Sequence, residues 1–200
     1  MNWLFPHICP LCGAVAADAL CPSCAAFRPP ENLRLPLGGG TAVRVLYRYD
    51  PEVRNAVYQL KFRRQSSRAE GFGWLIAQCA AADRIDVVTY VPMDPGKQIR
   101  RGYNQAERIA RSCARALHRP CRKLLYKTRT TQTQHTLPVD ARVPNVAGAY
   151  RAVPADGLRV LLCDDIVTTG ATIRACTHAL TAAGAESVQS FCIAWSRGAL

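Results

Sequence analysis

The chain reads as an α/β protein, a mostly parallel sheet flanked by helices with a small N-terminal four-cysteine zinc-binding module. Three observations predict this. From about residue 42 onward, strand-like and helix-like segments alternate. Leu158 to Cys163 is a continuous apolar run whose only charge is Arg159, the mark of a strand buried on both faces. Four of the ten cysteines stand within the first 24 residues as two Cys-x2-Cys pairs. With 200 residues, 49% of them hydrophobic and 20% charged, the chain can bury a core and is not a disordered polymer.

The two pairs, Cys9-Pro10-Leu11-Cys12 and Cys21-Pro22-Ser23-Cys24, have the spacing C-x2-C-x8-C-x2-C. Each pair forms a tight knuckle that aims two thiolates at one point, and two knuckles complete a tetrahedral sulfur shell for zinc. An iron–sulfur centre or two disulfides are the competing readings, and the paired spacing favours zinc. With Cys9, Cys12, Cys21 and Cys24 all ligating, no position stays open for a catalytic water, so the expected role is a scaffold. Cys79, Cys113, Cys121, Cys163, Cys176 and Cys192 fall in apolar-patterned segments and read as small buried hydrophobes.

Arg28-Pro29-Pro30 and then Leu35-Pro36-Leu37-Gly38-Gly39-Gly40 read as a Pro/Gly-rich connection. This divides the chain into residues 1–40, the knuckle module and linker, and residues 41–200, the α/β domain. Ala42 to Tyr49 is β-branched and aromatic, a strand. Pro51 suits a first helical turn, with Val53, Ala56, Val57 and Leu60 on one face. Gly71 to Ala82 continues as a helix, Asp86 to Val91 as a strand, Asn104 to Leu117 as a helix and Arg122 to Tyr126 as a short strand. Lys127 to Asn145 has no period and reads as a loop. After the run at 158–163, Thr172 to Ala183 is a helix closed by Gly184, and Ser187 to Ala194 is the last strand. No apolar run approaches the roughly 20 residues that span a bilayer. Met1 to Pro6 is apolar but short, has no basic leader and does not read as a signal peptide, so a cytoplasmic protein is expected.

The segment Val160 to Thr172, reading VLLCDDIVTTGAT, is the most informative. A buried strand is expected to deliver Asp164 and Asp165 at its C-terminal end, where open α/β sheets place ligands. A Thr/Gly turn then leads into a helix, whose amides and dipole make a nest for a phosphate. Thr168, Thr169 and Thr172 add hydroxyl donors, Gly170 permits close approach, and Ala171 adds an amide. Carboxylates do not bind phosphate; they suit ribose hydroxyls or a magnesium ion. A phosphate, a diol and a magnesium-chelated diphosphate occur together in 5-phosphoribosyl 1-diphosphate (PRPP). Helix capping explains one Asp or one Thr but not the whole set. No Gly-x4-Gly-Lys-Ser/Thr occurs, and no helix follows Gly38-Gly39-Gly40 as a dinucleotide fingerprint requires.

Residues 160–172 resemble the thirteen-residue PRPP motif of type I phosphoribosyltransferases. Placed behind the knuckle pair, the whole resembles the ComF (ComFC) family of competence-associated proteins. Arg100-Arg101-Gly102-Tyr103-Asn104-Gln105 is similar to that family's Arg-Gly-Phe/Tyr-Asn-Gln signature. Lys127-Thr128-Arg129 through Gln134, with Arg142 and Asn145, is similar to its Lys-x-Arg…Gln…Arg…Asn region. The resemblance implies a type I phosphoribosyltransferase-like fold. It puts the ribose hydroxyls on Asp164 and Asp165 and the 5-phosphate on residues 168–172. It makes Pro92 to Lys97, with Asp94, Gly96 and Lys97, the diphosphate loop. Residues 127–145, with Lys127 and Arg129, become a lid, with Arg100 and Arg101 beside it. Ala171 departs mildly from relatives that carry Gly or Ser there.

Charge adds a second theme. Lys plus Arg number 26 against 14 acids, a net +12. Residues 91–151 hold 13 of those cations and only three acids, far more than one diphosphate needs. Single-stranded DNA is the polyanion such a stretch suits; a solvated basic helix face on Arg108, Arg111 and Arg115 is the plainer account. Two functions are therefore expected in parallel. One is a phosphoribosyltransferase-type enzyme acting on magnesium-PRPP. The other is a non-catalytic PRPP and single-stranded-DNA adaptor in competence, meeting DNA-translocation proteins.

Overall fold

Capping and breaking residues set most element ends. The computed structural model describes residues 7–62, 67–128 and 148–196. Its first part is β1 (His7–Ile8), β2 (Val15–Ala16) and α1 (Pro22–Phe27), then β3 (Leu33–Gly38) and β4 (Thr41–Arg48). Next come α2 (Pro51–Phe62), α3 (Ser67–Ala80), β5 (Val87–Tyr90), α4 (Pro95–Arg101) and α5 (Gln105–Ala116). The last are β6 (Leu125–Lys127), β7 (Tyr150–Ala152), β8 (Arg159–Val167), α6 (Ala171–Ala182) and β9 (Ser187–Trp195). The α2 helix starts at proline because Asp50 Oδ1 accepts from the Glu52 and Val53 amides at 3.1 and 3.0 Å. Asn104 caps α5 in the same way through the Ala106 amide at 3.0 Å.

The main sheet has the order β3-β4-β9-β8-β5. Only the β3–β4 pair is antiparallel; β4–β9, β9–β8 and β8–β5 are parallel. β8 has a parallel neighbour on each side, as its unbroken apolar run predicts. Alternation then sorts its side chains into two cores. Leu161 and Cys163 face the layer built from α2, α3 and α5, with Phe191 and Ile193 of β9. Val160 and Leu162 face α6, with Ile173, Cys176 and Leu180. A bidentate pair, Arg159 to Asp86 at 2.8 and 2.6 Å, staples the start of β8 to the start of β5.

Four expectations need correction. Leu35 to Gly40, read as a linker, is mostly β3, an edge strand of the main sheet that turns at Gly38-Gly39-Gly40 with all three glycines at positive φ. Pro36 is tolerated there because an edge strand leaves one row of its amides unpaired. Pro92 to Lys97 is not wholly a turn. Asp94 caps the helix α4, accepting from the Lys97 amide at 3.2 Å. β8 does not end at Cys163 but runs to Val167, so both carboxylates lie inside the strand, with Asp164 opposite Cys192. Tyr150–Ala152, unassigned from sequence, forms β7 and pairs with β6. Arg129 and nearly all of the expected lid at 127–145 lie outside the described residues, as does Met1 to Pro6.

The knuckle segment packs on α3. Cys9, Leu11, Ala19, Leu20 and Cys21 share one core with Phe72, Leu75 and Ile76. The buried Arg68 donates from one guanidinium nitrogen to the Pro10 and Leu11 carbonyls, both at 2.8 Å. Gly71 lets the knuckle approach, since a β-carbon there would meet Pro10 Cδ at 2.7 Å. Gly73 does the same for α5: an added carbon would meet the Ile109 carbonyl oxygen at 2.5 Å and the Cys113 amide at 2.8 Å. Backbone cannot yield as a flexible side chain can. Gly73→Ala is therefore expected to destabilise the protein by about 1–3 kcal/mol, read as a lowered urea midpoint with an unchanged slope.

Candidate functional site

The site is built from one strand–turn–helix and what surrounds it. β8 ends at Val167, Thr168 is exposed, and Gly170 (φ 73°) turns the chain into α6. The left-handed φ requires glycine, and space requires it too. A β-carbon at Gly170 would come within 2.5 Å of Leu37 Cδ2 on β3. The hairpin strand missed from sequence is thus the floor under this turn. Arg174, one turn into α6, donates to the Leu37 carbonyl at 2.9 Å and the Thr169 carbonyl at 3.0 Å, holding floor and turn together. Gly170, the N-cap of α6, offers no side-chain acceptor to the amides of the first turn. Thr169 Oγ1 does accept from the Ala171 amide at 3.3 Å, so one expected phosphate donor is engaged within the turn. Thr172 faces Tyr150 of β7, whose phenol burial pushes up and a hydrogen bond to Thr172 partly offsets.

The two carboxylates are arranged unequally. Asp164 Oδ1 accepts from the Asp165 amide at 2.8 Å, and Asp165 Oδ1 accepts from the Ile166 amide at 2.6 Å. Lys61, at the end of α2, places Nζ 2.7 Å from Asp165 Oδ2. Nothing in the sequence spacing announces this partner, because it comes from another helix 104 positions away. Burial, and then the negative charge of Asp165, pushes Asp164 up to about 8, against the smaller opposing pull of the Asp165 amide and Lys61.

Other predicted residues converge in part. Lys127 on β6 feels Asp94 and Lys97 of the α4 start, and burial lowers its ammonium from the usual range. Burial pushes the Cys176 thiol of α6 up, Asp164 adds to that push, and Lys127 opposes it. A groove of about 490 Å³ lies between α4 and β6, lined by Met93, Ile99, Lys123, Tyr126 and Lys127 among others. Gly96 and Arg100 are exposed on α4, while Arg101 donates to Gln105 Oε1 at 3.2 Å. Arg108, Arg111 and Arg115 are exposed on α5, with Arg111 paired to Glu107 at 2.8 Å, as a solvated basic face predicts.

The four cysteines come together as the spacing predicts. Their sulfurs all lie within 4.8 Å of one another, and Cys12 Sγ stands 3.6 Å from Cys21 Sγ. A tetrahedron of sulfurs about 2.3 Å from a central zinc has edges of about 3.8 Å, so the donor set fits that ion. Burial raises the Cys9 thiol, but backbone amides at Cys21, Cys12 and Leu11 outweigh it and bring the group to about 7. Cys24 is pushed the other way by burial and by the neighbouring thiols, so without a cation the cluster favours one thiolate rather than four.

Asp164 carries a pH signature. Its folded pKa lies far above the ordinary carboxylate value, so between about pH 4 and pH 8 the folded chain holds a proton that the unfolded chain has lost. Its contribution to stability is therefore complete at acid pH and fades as pH rises through about 8. Asp164→Asn removes the titration. Thermal unfolding is expected to show the variant gaining on the native protein from pH 5 to pH 8; a constant gap would refute the assignment.

The Phosphoribosyl transferase domain family matches residues 105–199. DNA utilization protein YhgH of Escherichia coli O6:H1 is 31% identical over 206 residues, covering 93% of this chain and 89% of that protein. Competence protein ComFC of Bacillus subtilis is 26% identical over 190 residues, covering 92% and 76%. Among solved structures, the glutamine phosphoribosylpyrophosphate amidotransferase of B. subtilis is 30% identical with a TM-score of 0.43, covering 62% of this chain and 25% of that one. With nearly its whole length aligned to the YhgH and ComFC proteins, a phosphoribosyl transferase domain in its C-terminal half and the four cysteines gathered in front, the chain belongs to the ComF (ComFC) family.

Proposed function

We propose that the protein binds PRPP, with the magnesium ion its diphosphate carries, between the β8 carboxylates and the start of α6, and transfers the phosphoribosyl group. The observation that carries this reading is the coincidence of two carboxylates and an amide-rich turn within one strand–turn–helix. The diol donates to Asp164 and Asp165, and residues 168–172 receive the 5-phosphate. Asp94, Gly96, Lys97 and Lys127 face the diphosphate. Magnesium, a hard cation bound through oxygens, neutralises charge on that leaving group. Asp165, and Asp164 in its deprotonated form, stabilise positive charge developing on the ribose rather than acting as a base, so rate comes from positioning and charge complementarity.

Cys9, Cys12, Cys21 and Cys24 hold a structural zinc that folds residues too few to bury a core. The basic segment Lys97 to Arg151, including Arg100, Arg101 and Arg129, binds single-stranded DNA, and the protein handles imported strands in the cytoplasm beside DNA-translocation proteins. Names borne by the relatives, competence protein and DNA utilization protein, support that setting.

Calorimetry with magnesium and PRPP is expected to give heat, and Asp164→Asn with Asp165→Asn to weaken binding by about a hundredfold while leaving oligonucleotide binding unchanged. No heat from the native protein overturns the reading. Diphosphate released in the presence of a base, ammonia or an oligonucleotide establishes transfer, whereas binding without release leaves an adaptor. Metal analysis is expected to find about one zinc per chain, lost in a Cys9→Ser/Cys24→Ser variant; a native protein without metal refutes the zinc assignment.

A further inference from the structure

The short run at the start of α5 reaches two other elements that border the acid pair. The Leu60 carbonyl lies in the last described turn of α2. The Tyr103 hydroxyl donates to it. Asn104 Nδ2 donates to the Val91 carbonyl at 3.0 Å, just past the end of β5, while its Oδ1 caps α5. Asn104 is buried, and burial pushes up the Tyr103 phenol. Directly after Leu60 comes Lys61, whose ammonium sits 2.7 Å from Asp165 with side-chain exposures of 20% and 17%.

We propose that Tyr103 and Asn104 form a bracket that fixes the end of α2, and that Lys61, so held, is a positioning residue that keeps Asp165 aimed at the ribose diol. The proposal rests on the PRPP reading. Its logic is electrostatic. Two neighbouring, half-buried carboxylates repel, and Asp164 answers by holding its proton up to about pH 8. Asp165 is then the acceptor that must stay charged, and unheld it can swing away from a sugar hydroxyl. An ammonium at hydrogen-bond distance offsets the repulsion and fixes Asp165 Oδ2, leaving the remaining lone pairs to the ligand. Lysine is a flexible point charge on a long stem, so its precision depends on where its backbone is anchored. Tyr103 supplies that anchor. The Arg-Gly-Tyr-Asn-Gln signature thus serves the sugar site from behind, without touching the ligand.

Two measurements test this. The first needs no ligand: nitrogen-15 spectra of lysine ammonium groups are expected to show a slowly exchanging Lys61 signal, lost in Asp165→Asn and in Tyr103→Phe. The second compares ribose 5-phosphate with 2-deoxyribose 5-phosphate. The native protein is expected to prefer the diol by about tenfold, Lys61→Met to abolish the preference while still binding phosphate, and Lys61→Arg to restore most of it. A merely structural staple loses both sugars together and spares their ratio. An unaltered Lys61 signal in Tyr103→Phe, or an unaltered preference in Lys61→Met, overturns the proposal. A native protein that takes neither sugar phosphate refutes the PRPP reading instead, and the bracket is then decided by the ammonium signal alone.

Discussion

Placing two adjacent, half-buried carboxylates inside a parallel strand is the constraint around which this molecule is arranged. Charged oxygens in such a place must have partners. Each acid receives a backbone amide, Asp164 from Asp165 and Asp165 from Ile166. Among the described residues, only Asp165 also receives a cation at ion-pair distance, Lys61. The asymmetry explains why the electrostatic strain collects on Asp164, held near 8 by burial and by its neighbour's charge. A sheet optimised only for stability would have continued the apolar run that precedes these residues.

The same logic explains the β3–β4 hairpin. The Thr168–Gly170 turn, where the 5-phosphate is proposed to sit, rests on something rigid. Leu37 provides the surface against which Gly170 lies, and Arg174 ties both to α6 through two carbonyl oxygens. β3 thus contributes to the site without placing a polar side chain in it. Tyr150 of β7 adds a contact to Thr172 in the first turn of the same helix.

Most of the architecture was legible from periodicity and breakers. β4, α2, α5, α6 and β9 fall within a residue or two of their expected limits because their apolar faces have clear periods and their ends carry Pro, Asn or Gly. β3 was not legible, since Pro and Gly in Leu35 to Gly40 are the residues of a linker and only pairing with β4 makes them a strand. α4 was hidden because its residues are largely exposed and have no apolar stripe to read. The four cysteines and the Asp164–Thr172 segment were visible as local motifs. Lys61 and Tyr150 were not, for they join the site by folding from distant positions, and a single sequence carries no trace of such meetings.

Arg68 gives the knuckle module a different standing from that of a tethered ornament. Its guanidinium, sunk inside the protein, leans on two carbonyl oxygens that belong to the knuckle backbone. If the knuckle came undone, a buried cation would lose those acceptors in the wall of α3, which also packs on α5. Melting of the cysteine segment is therefore not a local event. Its loss is felt along α3, which couples the stability of the small lobe to that of the large one.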